Sequence, residues 1–530
     1  MFFEILKVII VAACCAAAAR HYVHMLQLES YQLPGYRRWL SRNRDTMLKP
    51  VAVGVAGVAI SWYMPVLMSM FVTEAEKRTA VAGYVTLILF VAAAAVLLVL
   101  DMRRPEKKPL AFTPRVKRLY TTICLMSLVG CALLDLMRVP PYLFYSAVAY
   151  LVMGAAAAMQ PVENSINRGF FESAKQKLED RPDLIKVGIT GSYGKTSTKF
   201  ALRDILSQRY NVLATPASFN TPMGLSRVIN EQLRPEHELF IAEMGARHVG
   251  DIKELCELVN PKYGLLTSVG PQHLETFGSI ENIAGTKNEL IEALPEDGIA
   301  FFSSDGAYVD RLYARCEKEK YRTGFESERK QYMTVKDVRV DSQGSRFVLE
   351  CEDGVRINCR TKLLGRHNIQ NIALCAAAAR KLGLEMDEIA RGIRIIEPVE
   401  HRLQLIPGAI TVIDDAFNSN PSGSAEALRV LSGFPGRRLI ITPGMVEQGE
   451  KEDELNYAFG AQMPGCVDIA ILVGPKHTHP IYEGLVDNGF DKDNIHVAQN
   501  LDEATALLRQ LGRAGDTVLF ENDLPDNYNE

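Results

Sequence analysis

Lys195 and Thr196 close a short turn, Thr190-Gly191-Ser192-Tyr193-Gly194-Lys195-Thr196-Ser197, that follows an apolar run beginning at Val187. A glycine-rich turn opening a helix presents successive backbone N–H groups where the helix dipole is positive, and phosphate fits there. Gly191 and Gly194 allow backbone conformations that a side chain would forbid. The Lys195 ammonium can reach β- and γ-phosphates, and the Thr196 hydroxyl can ligate Mg²⁺. Ile189 stands where the usual G-x-x-x-x-G-K-[ST] string has its first glycine, so the shorter T-G-S-Y-G-K-T carries the signal.

Other residues with usable chemistry fall at the ends of apolar runs. Glu243 closes Leu239–Ala242, where a carboxylate beside the phosphate loop would serve as a Mg²⁺ ligand; a surface acid or helix cap fits the position equally well. His273 lies just past another such run, and Lys287 follows on a helical stretch where, taken alone, it reads as a solvated residue. Asn368 and Asn371 open an alanine-rich helix, and for Asn368 capping is the simplest reading. Asp414 and Asp415 close a later strand, followed by Asn418, Asn420 and Pro421. Turn chemistry explains much of that composition. Paired acids there are also well placed to meet a nucleotide across an interdomain cleft.

These residues need a scaffold, and the strand–helix alternation after residue 160 supplies one. Lys186–Ile189, Leu239–Glu243, Tyr263–Ser268 and Ile299–Phe302 read as strands, with helices at Thr196–Gln208 and Glu281–Leu294. This is the rhythm of a parallel sheet with its ligand at the strand C-termini. Residues 330–360 alternate in short strands and predict a small antiparallel insert. A helix follows at Asn368–Leu382, then a Pro-containing linker near residues 395–401. A second βα pattern starts at Ile410–Asp414 and continues through Arg438–Thr442, Ile469–Val473 and Thr517–Phe520. The fold class is therefore an α-helical membrane region followed by α/β: a P-loop parallel-sheet central domain and a smaller Rossmann-like domain. Boundaries fall at 1–160, 161–397 and 398–530.

The first 160 residues differ sharply from the rest. Apolar blocks run over 5–19, 50–72, 81–100, 120–137 and 141–159, and about 20 apolar residues span a bilayer as a helix. The first block reads as a retained anchor, because another span rather than a soluble domain follows it. Arg20, Arg37, Arg38, Arg42, Arg44 and Lys49 crowd one loop; Arg103, Arg104, Lys107, Lys108, Arg115, Lys117 and Arg118 crowd another. The positive-inside rule places both in the cytoplasm. Five spans then leave the N-terminus outside and the phosphate loop in the cytoplasm, where ATP is. Asp135 and Arg138 share a helix face and predict an interfacial ion pair. The net charge of -4 gives no electrostatic case for nucleic acid, and the ten cysteines show no metal spacing.

The strings together resemble the Mur ligase family, its MurF branch most closely. They are T-G-S-Y-G-K-T (190–196), S-F-N-T-P-M-G-L (218–225), A-E-M-G-A-R-H-V-G-D-I (242–252), H-L-E-T-F-G-S-I-E-N-I-A-G-T-K-N-E-L (273–290), G-R-H-N-I-Q-N-I-A (365–373), H-R-L-Q (401–404) and D-D-A-F-N-S-N-P-S (414–422). The resemblance implies an ATP-dependent, Mg²⁺-requiring amide ligase acting through an acyl phosphate on a muramoyl peptide, with D-alanyl-D-alanine as the amine. It implies that Gly191 to Ser197 cradle ATP, with Lys195 on its phosphates. Thr196 and Glu243 would hold Mg²⁺, with His273 at the second metal region and Lys287 as a carbamylated lysine. Asn371 would lie at the adenine, Asp415 on the ribose side and Arg402 at the phosphate. Asn220, Thr221 and Asn418 would line the substrate side.

Three features depart from the branch. Membrane spans replace its N-terminal domain, which holds the UDP moiety. Phe520-Glu521-Asn522-Asp523 stands where a Lys-Gly-Ser stretch is usual, and Asn456 where a histidine is. The acceptor is accordingly either a UDP-linked muramoyl peptide or a lipid-linked envelope precursor. Two other classes remain as alternatives, a membrane transporter ATPase and a non-catalytic ATP-binding scaffold. Leu431-Ser432-Gly433-Phe434 does not continue as a transporter signature helix, and the intact set of chemical residues weighs against a scaffold.

Overall fold

The computed structural model describes residues 2–522 apart from 105–108, 218, 273, 305, 328, 342, 417–418 and 447–450. The chain forms two compact units, Met1–Arg168 and Gly169–Glu530.

Four helices of the first unit are long and apolar enough to cross a membrane: Phe2–Leu28, Arg44–Met68, Ala75–Met102 and Pro114–Leu136. They take up the first four apolar blocks. The fifth block is broken. A single turn, Tyr142–Tyr145, follows Pro140 and Pro141, and a new helix runs over Val148–Glu179. Proline lacks the N–H that would extend a helix and disfavours helical geometry in the residue before it. The turn is seated on two glycines of the Arg44–Met68 helix. A Cβ on Gly54 would lie 2.2 Å from Ser146 Oγ, and one on Gly57 would lie 2.9 Å from Tyr142 Cβ. Small residues are what permit so close an approach between membrane helices.

Asp135 does not pair with Arg138. Its Oδ1 lies 2.7 Å from Lys7 Nζ of the first helix. Arg138 falls past the helix end with φ 60° and no longer projects from that face. At the other end of the bundle Asp101 gathers His21 Nδ1 at 3.1 Å and Arg20 Nη1 at 3.4 Å.

The second unit contains two sheets. The larger is built from β1 (Ile185–Thr190), β2 (Val212–Ala214), β3 (Leu239–Glu243), β4 (Tyr263–Leu266), β5 (Ile299–Ser303), β6 (Glu319–Phe325), β7 (Met333–Asp341), β8 (Gly344–Cys351) and β9 (Arg356–Thr361). Their order is β2-β3-β1-β4-β5-β6-β7-β8-β9. After β1 the chain moves out to β2 and β3 on one side, then crosses to β4 on the other. That reversal opens a crevice at the C-termini of β1, β3 and β4, where ligands of such sheets bind.

Residues 330–360 are not a separate insert. β7 pairs parallel with β6, and β8 and β9 continue the same sheet antiparallel. The alternation of Met333, Val335, Phe347 and Leu349 turns one face onto the buried alanines of helix Arg366–Lys381, so the segment shares the main core. That helix also crosses the phosphate-loop helix Lys195–Leu206, with Cys375 Sγ 3.3 Å from Thr198 O.

The smaller sheet comprises β10 (Gln404–Ile406), β11 (Thr411–Asp415), β12 (Arg438–Thr442), β13 (Ile469–Val473), β14 (Ile495–Ala498) and β15 (Thr517–Glu521), in the order β10-β11-β15-β12-β13-β14. Only the β10 pairing is antiparallel. β11 and β15 are neighbours, so Asp415 and Glu521 end side by side at one sheet edge.

Helices Glu452–Gln462 and His479–Asp487, which flank this sheet, pack against each other through glycine. A Cβ on Gly460 would come within 2.2 Å of Ile481 O, and one on Gly484 within 2.2 Å of Tyr457 O. Gly460→Val should therefore force the pair apart at a cost of about 1–3 kcal/mol. The expected readout is a melting midpoint several degrees lower for the full-length protein in detergent micelles. An unchanged midpoint would show that these helices do not need the close approach.

Candidate active site

β1 delivers the chain into the glycine-rich turn, and backbone geometry there demands glycine. Gly191 has φ 149° and Gly194 φ 78°. A Cβ on Gly191 would lie 2.0 Å from Thr267 Oγ1. The turn is tied to the segment after β4. Ser192 N donates to Ser268 O at 2.8 Å, Tyr193 N donates to Ser268 Oγ at 3.0 Å, and Thr267 Oγ1 donates to Tyr193 O at 2.6 Å. The Ser192 hydroxyl bridges both the N–H and the carbonyl of Gly270, each at 3.0 Å. Lys195 is folded inward, donating to Gly191 O at 2.7 Å and Ser192 O at 3.0 Å. Burial pushes its amine down to about 8, with the Glu243 charge opposing and Arg402 adding to the shift.

Glu243, at the end of β3, is 1% exposed. It is neither a surface acid nor a cap. Its Oε1 accepts from Thr196 Oγ1 and from Asn220 Nδ2, both at 3.1 Å. Its Oε2 accepts from Lys199 Nζ at 3.0 Å. A buried carboxylate needs this much compensation, because leaving it unpaired costs several kcal/mol. Lys199 is absent from the sequence reading. The signal was one turn of helix beyond Lys195: a strand-terminal carboxylate in the core requires a cation, and Lys199 is the next one on the same helix.

The Thr196 and Glu243 oxygens suit Mg²⁺. Thr196 spends its proton on Glu243 and keeps its lone pairs. Mg²⁺ commonly takes one or two protein oxygens and completes its octahedron with phosphate and water. Among the described residues no group of three or more His, Cys, Asp or Glu forms an all-protein cage.

Lys287, on helix Ile280–Glu292, is 2% exposed and makes no ion pair among the described residues. It is not the solvated lysine its position suggests. Burial first, then the Lys195 charge, push its amine down to about 7, against Asp251 and Glu289. His273 lies outside the described residues, as does Asn418.

Helix Arg366–Lys381 and the smaller sheet contribute further groups. Asn371 lies against Gly194, where a Cβ would meet its Nδ2 at 2.7 Å. Asn368 does not cap its helix. The N-cap is Gly365, and Asn368 Nδ2 donates to Leu364 O at 2.8 Å. Burial lowers the Arg402 guanidinium, while the charges of Glu243 and Asp415 oppose this, so Arg402 feels carboxylates of both sheets. Asp415 accepts from Leu403 N at 3.0 Å, and burial pushes its carboxyl up to about 6. Glu521 accepts from Ser419 and from Thr442, the latter at 2.8 Å, and burial takes it up to about 7. Asn456 grips the Met445 backbone, donating to its carbonyl at 2.9 Å and accepting from its N–H at 2.8 Å. Thr221 is spent on its helix: its hydroxyl caps Pro222–Gln232 by accepting from Gly224 N at 3.3 Å. Ser197 sits half-buried in the first turn of the phosphate-loop helix.

Two family models match the chain. The Mur ligase middle domain covers residues 189–379, and the Mur ligase glutamate ligase domain covers 401–521. The UDP-N-acetylmuramoyl-tripeptide--D-alanyl-D-alanine ligase of Mycobacterium tuberculosis is 32% identical over 364 residues, 64% of this chain and 70% of that protein. The enzyme of the same name from Bacillus subtilis is 29% identical over 343 residues, 63% of this chain and 72% of that protein. Among solved structures, MurF ligase from Thermotoga maritima in complex with ADP superposes with a TM-score of 0.61 at 25% identity, covering 67% of this chain and 80% of that one.

The environment of Lys287 sets a pH test. Its amine is charged below about 7 and neutral above, far under the ordinary 10.5. Cyanate, which attacks only the neutral amine, should modify Lys287 with a midpoint near pH 7, read by peptide mass spectrometry. Solvated lysines should respond only toward ~10.4. Modification of Lys287 confined to pH above 9 would show that its burial does not depress the amine.

Proposed function

The chain belongs to the Mur ligase family and is an ATP-dependent ligase, and from that premise we propose that it joins an amine to a carboxylate of a muramoyl peptide in cell-wall precursor synthesis. The relatives' names point to UDP-muramoyl tripeptide and D-alanyl-D-alanine as the pair. The observation that carries the reading is Glu243, buried at the end of β3 and hydrogen-bonded by Thr196 of the phosphate loop.

In this reading Lys195 turns from the carbonyls of Gly191 and Ser192 to the β- and γ-phosphates. Thr196 and Glu243 hold Mg²⁺, which when bound offsets the charge between substrate carboxylate and phosphate oxygens. The carboxylate attacks the γ-phosphorus and ADP leaves; the amine then attacks the acyl phosphate and inorganic phosphate departs. Lys287, whose amine is brought down to about 7, would add to CO₂ in its neutral form with loss of one N–H proton, giving a carbamate anion for the metal side, with His273 assigned to the second metal region. Asn371 faces the adenine, Asp415 the ribose and Arg402 the phosphates. Asn220, Thr221 and Asn418 belong to the acceptor side. Burial of Thr196, Glu243 and Lys287 excludes water and strengthens each electrostatic contact there.

The membrane topology we propose has five crossings. Arg37, Arg38 and Arg42 are exposed on the short helix Leu33–Arg42, and Arg44 and Lys49 at the start of helix Arg44–Met68. With only the four apolar helices crossing, these cations and the catalytic unit would lie on opposite sides of the bilayer. Cytoplasmic basic loops would then put the ATP site outside. A fifth crossing by the bent segment Tyr142–Tyr145 and the start of Val148–Glu179 removes the conflict. Aromatic residues frame the span. Tyr22 donates to Thr46 O at 3.0 Å beside Trp39, and Trp62 and Tyr63 are exposed further along the same helix. From Thr46 to Trp62 the rise is about 24 Å, close to the hydrocarbon depth.

A second reading keeps the chemistry and changes the acceptor to a lipid-linked muramoyl peptide. Its support is the membrane unit itself, which concentrates the enzyme where such a substrate resides. Full-length enzyme in bilayers, given either precursor with ATP and D-alanyl-D-alanine, separates the two. Faster ADP release with the lipid-linked precursor supports the second reading. Equal or faster turnover of the soluble one leaves an anchored MurF-type ligase. In either case Lys195→Ala should lose turnover by at least ~100-fold, since preorganised charge of this kind contributes that much, with membrane insertion intact. Full activity in that variant would remove the phosphate assignment. Lys287→Ala should lose activity that short carboxylic acids partly restore and bicarbonate does not. Full activity there would leave the lysine without a catalytic part.

A further inference from the structure

The Glu243 carboxylate is held asymmetrically. One oxygen, Oε2, accepts from the Lys199 ammonium at 3.0 Å. The other, Oε1, accepts from neutral donors, the Thr196 hydroxyl and the Asn220 amide. Lys199 has no solvent exposure. A second hydrogen of its ammonium goes to Ala217 O, and its Nζ stands 4.4 Å from the Phe200 ring centroid. The Ala217 loop is fixed in turn. Glu243 N donates to Thr215 Oγ1 at 3.3 Å, and Gly245 N donates to Asn220 O at 2.9 Å. Ala217 holds φ 43°, a conformation uncommon for a residue with a side chain. Lys199 is thus locked on Oε2 from several sides.

We propose that Lys199 is a positioning residue that sets the choice of cation, by occupying Oε2 so that Glu243 offers a metal only Oε1. The inference rests on the reading of Glu243 as the metal-side carboxylate. Mg²⁺ demands a near-regular octahedron at about 2.0–2.1 Å, and a carboxylate binding through both oxygens spans too small an angle for it. Ca²⁺, at about 2.3–2.6 Å and with a flexible shell, readily takes both oxygens of one carboxylate. An ammonium on Oε2 removes the larger ion's two-oxygen mode, whereas the neutral hydroxyl and amide on Oε1 can turn aside for the smaller ion. An ion pair that merely held the fold would alter stability and treat both ions alike.

The experiment is equilibrium binding of a fluorescent, non-hydrolysable ATP analogue to the full-length protein in detergent, titrated with Mg²⁺ or Ca²⁺. In the wild type, Mg²⁺ should support binding at about tenfold or more lower concentration than Ca²⁺; Lys199→Met and Lys199→Gln should each shrink that ratio about tenfold, a difference of about 1.4 kcal/mol. Lys199→Arg keeps a cation on Oε2 and should keep the ratio. Loss of affinity for both ions in equal measure overturns the proposal. So does a wild type that accepts Ca²⁺ as well as Mg²⁺, a result that stands even where a substituted chain fails to fold. Glu243→Gln separates the two levels. If it leaves the metal dependence of analogue binding unchanged, the reading of Glu243 falls. If it abolishes that dependence while Lys199→Met retains the wild-type ratio, only the selectivity role of Lys199 falls.

Discussion

The buried Glu243 carboxylate is the constraint around which the catalytic unit is arranged. It sits at the C-terminus of β3, next to the strand that feeds the phosphate loop. A lone charge there would be untenable, so two elements converge on it. The phosphate-loop helix supplies Thr196 and Lys199, and the segment after β2 supplies Asn220. Each donor is fixed by its own element. The same bonds that make the carboxylate tolerable therefore fix the relative position of the loop, the helix and the strand. Stability and the geometry of the site have one physical source.

Charge in the surrounding crevice is balanced by suppression as much as by pairing. Lys195 and Lys287 are pushed down, and Asp415 and Glu521 up, each chiefly by burial. Such a site is a poor resting place for net charge and a good one for a substrate that brings its own. A nucleotide triphosphate and a metal ion together would repopulate the charged forms: phosphate favours the Lys195 ammonium, and a cation favours ionised carboxylates. Perturbed groups clustered in one crevice are the usual mark of a functional site.

Much of this was legible in the sequence because it depends on local pattern. The glycine turn, the strand ends at Glu243 and Asp415 and the helix bearing Lys287 all follow from hydrophobic periodicity and turn chemistry. β12 and β13 fall at the residues expected for them, since a buried parallel strand is a nearly unbroken apolar run. What was not legible depends on distant partners. β2 and β10 are only three residues long and are strands by virtue of their neighbours. Residues 330–360 alternate correctly, but alternation does not say which sheet they join. Asp135 found Lys7 rather than Arg138 because helix packing, not sequence distance, decides an ion pair. Lys287 read as solvated and is buried, because its helix face is chosen by the core beneath it.

The departures at the C-terminal sheet edge concern charge more than shape. Where the resemblance leads one to expect a Lys-Gly-Ser stretch, this chain has Phe520-Glu521-Asn522. Asn522 adopts φ 65°, the left-handed conformation that glycine takes freely and asparagine tolerates better than most residues. Its side chain donates to Gly444 O at 2.5 Å, binding the end of β15 to the turn after β12. That turn is also gripped by Asn456, through the Met445 backbone. The backbone path is thus kept by hydrogen bonds from two asparagines. The electrostatics are not kept: Glu521 stands beside Asp415, and both are held partly neutral by burial. Two acids in place of a cation disfavour an anionic group approaching this edge and favour a cationic one. The phosphate loop, which needs none of these residues, is unaffected. The two acids thus stand together at the C-terminal edge of the smaller sheet, while the elements around Glu243 remain of one piece.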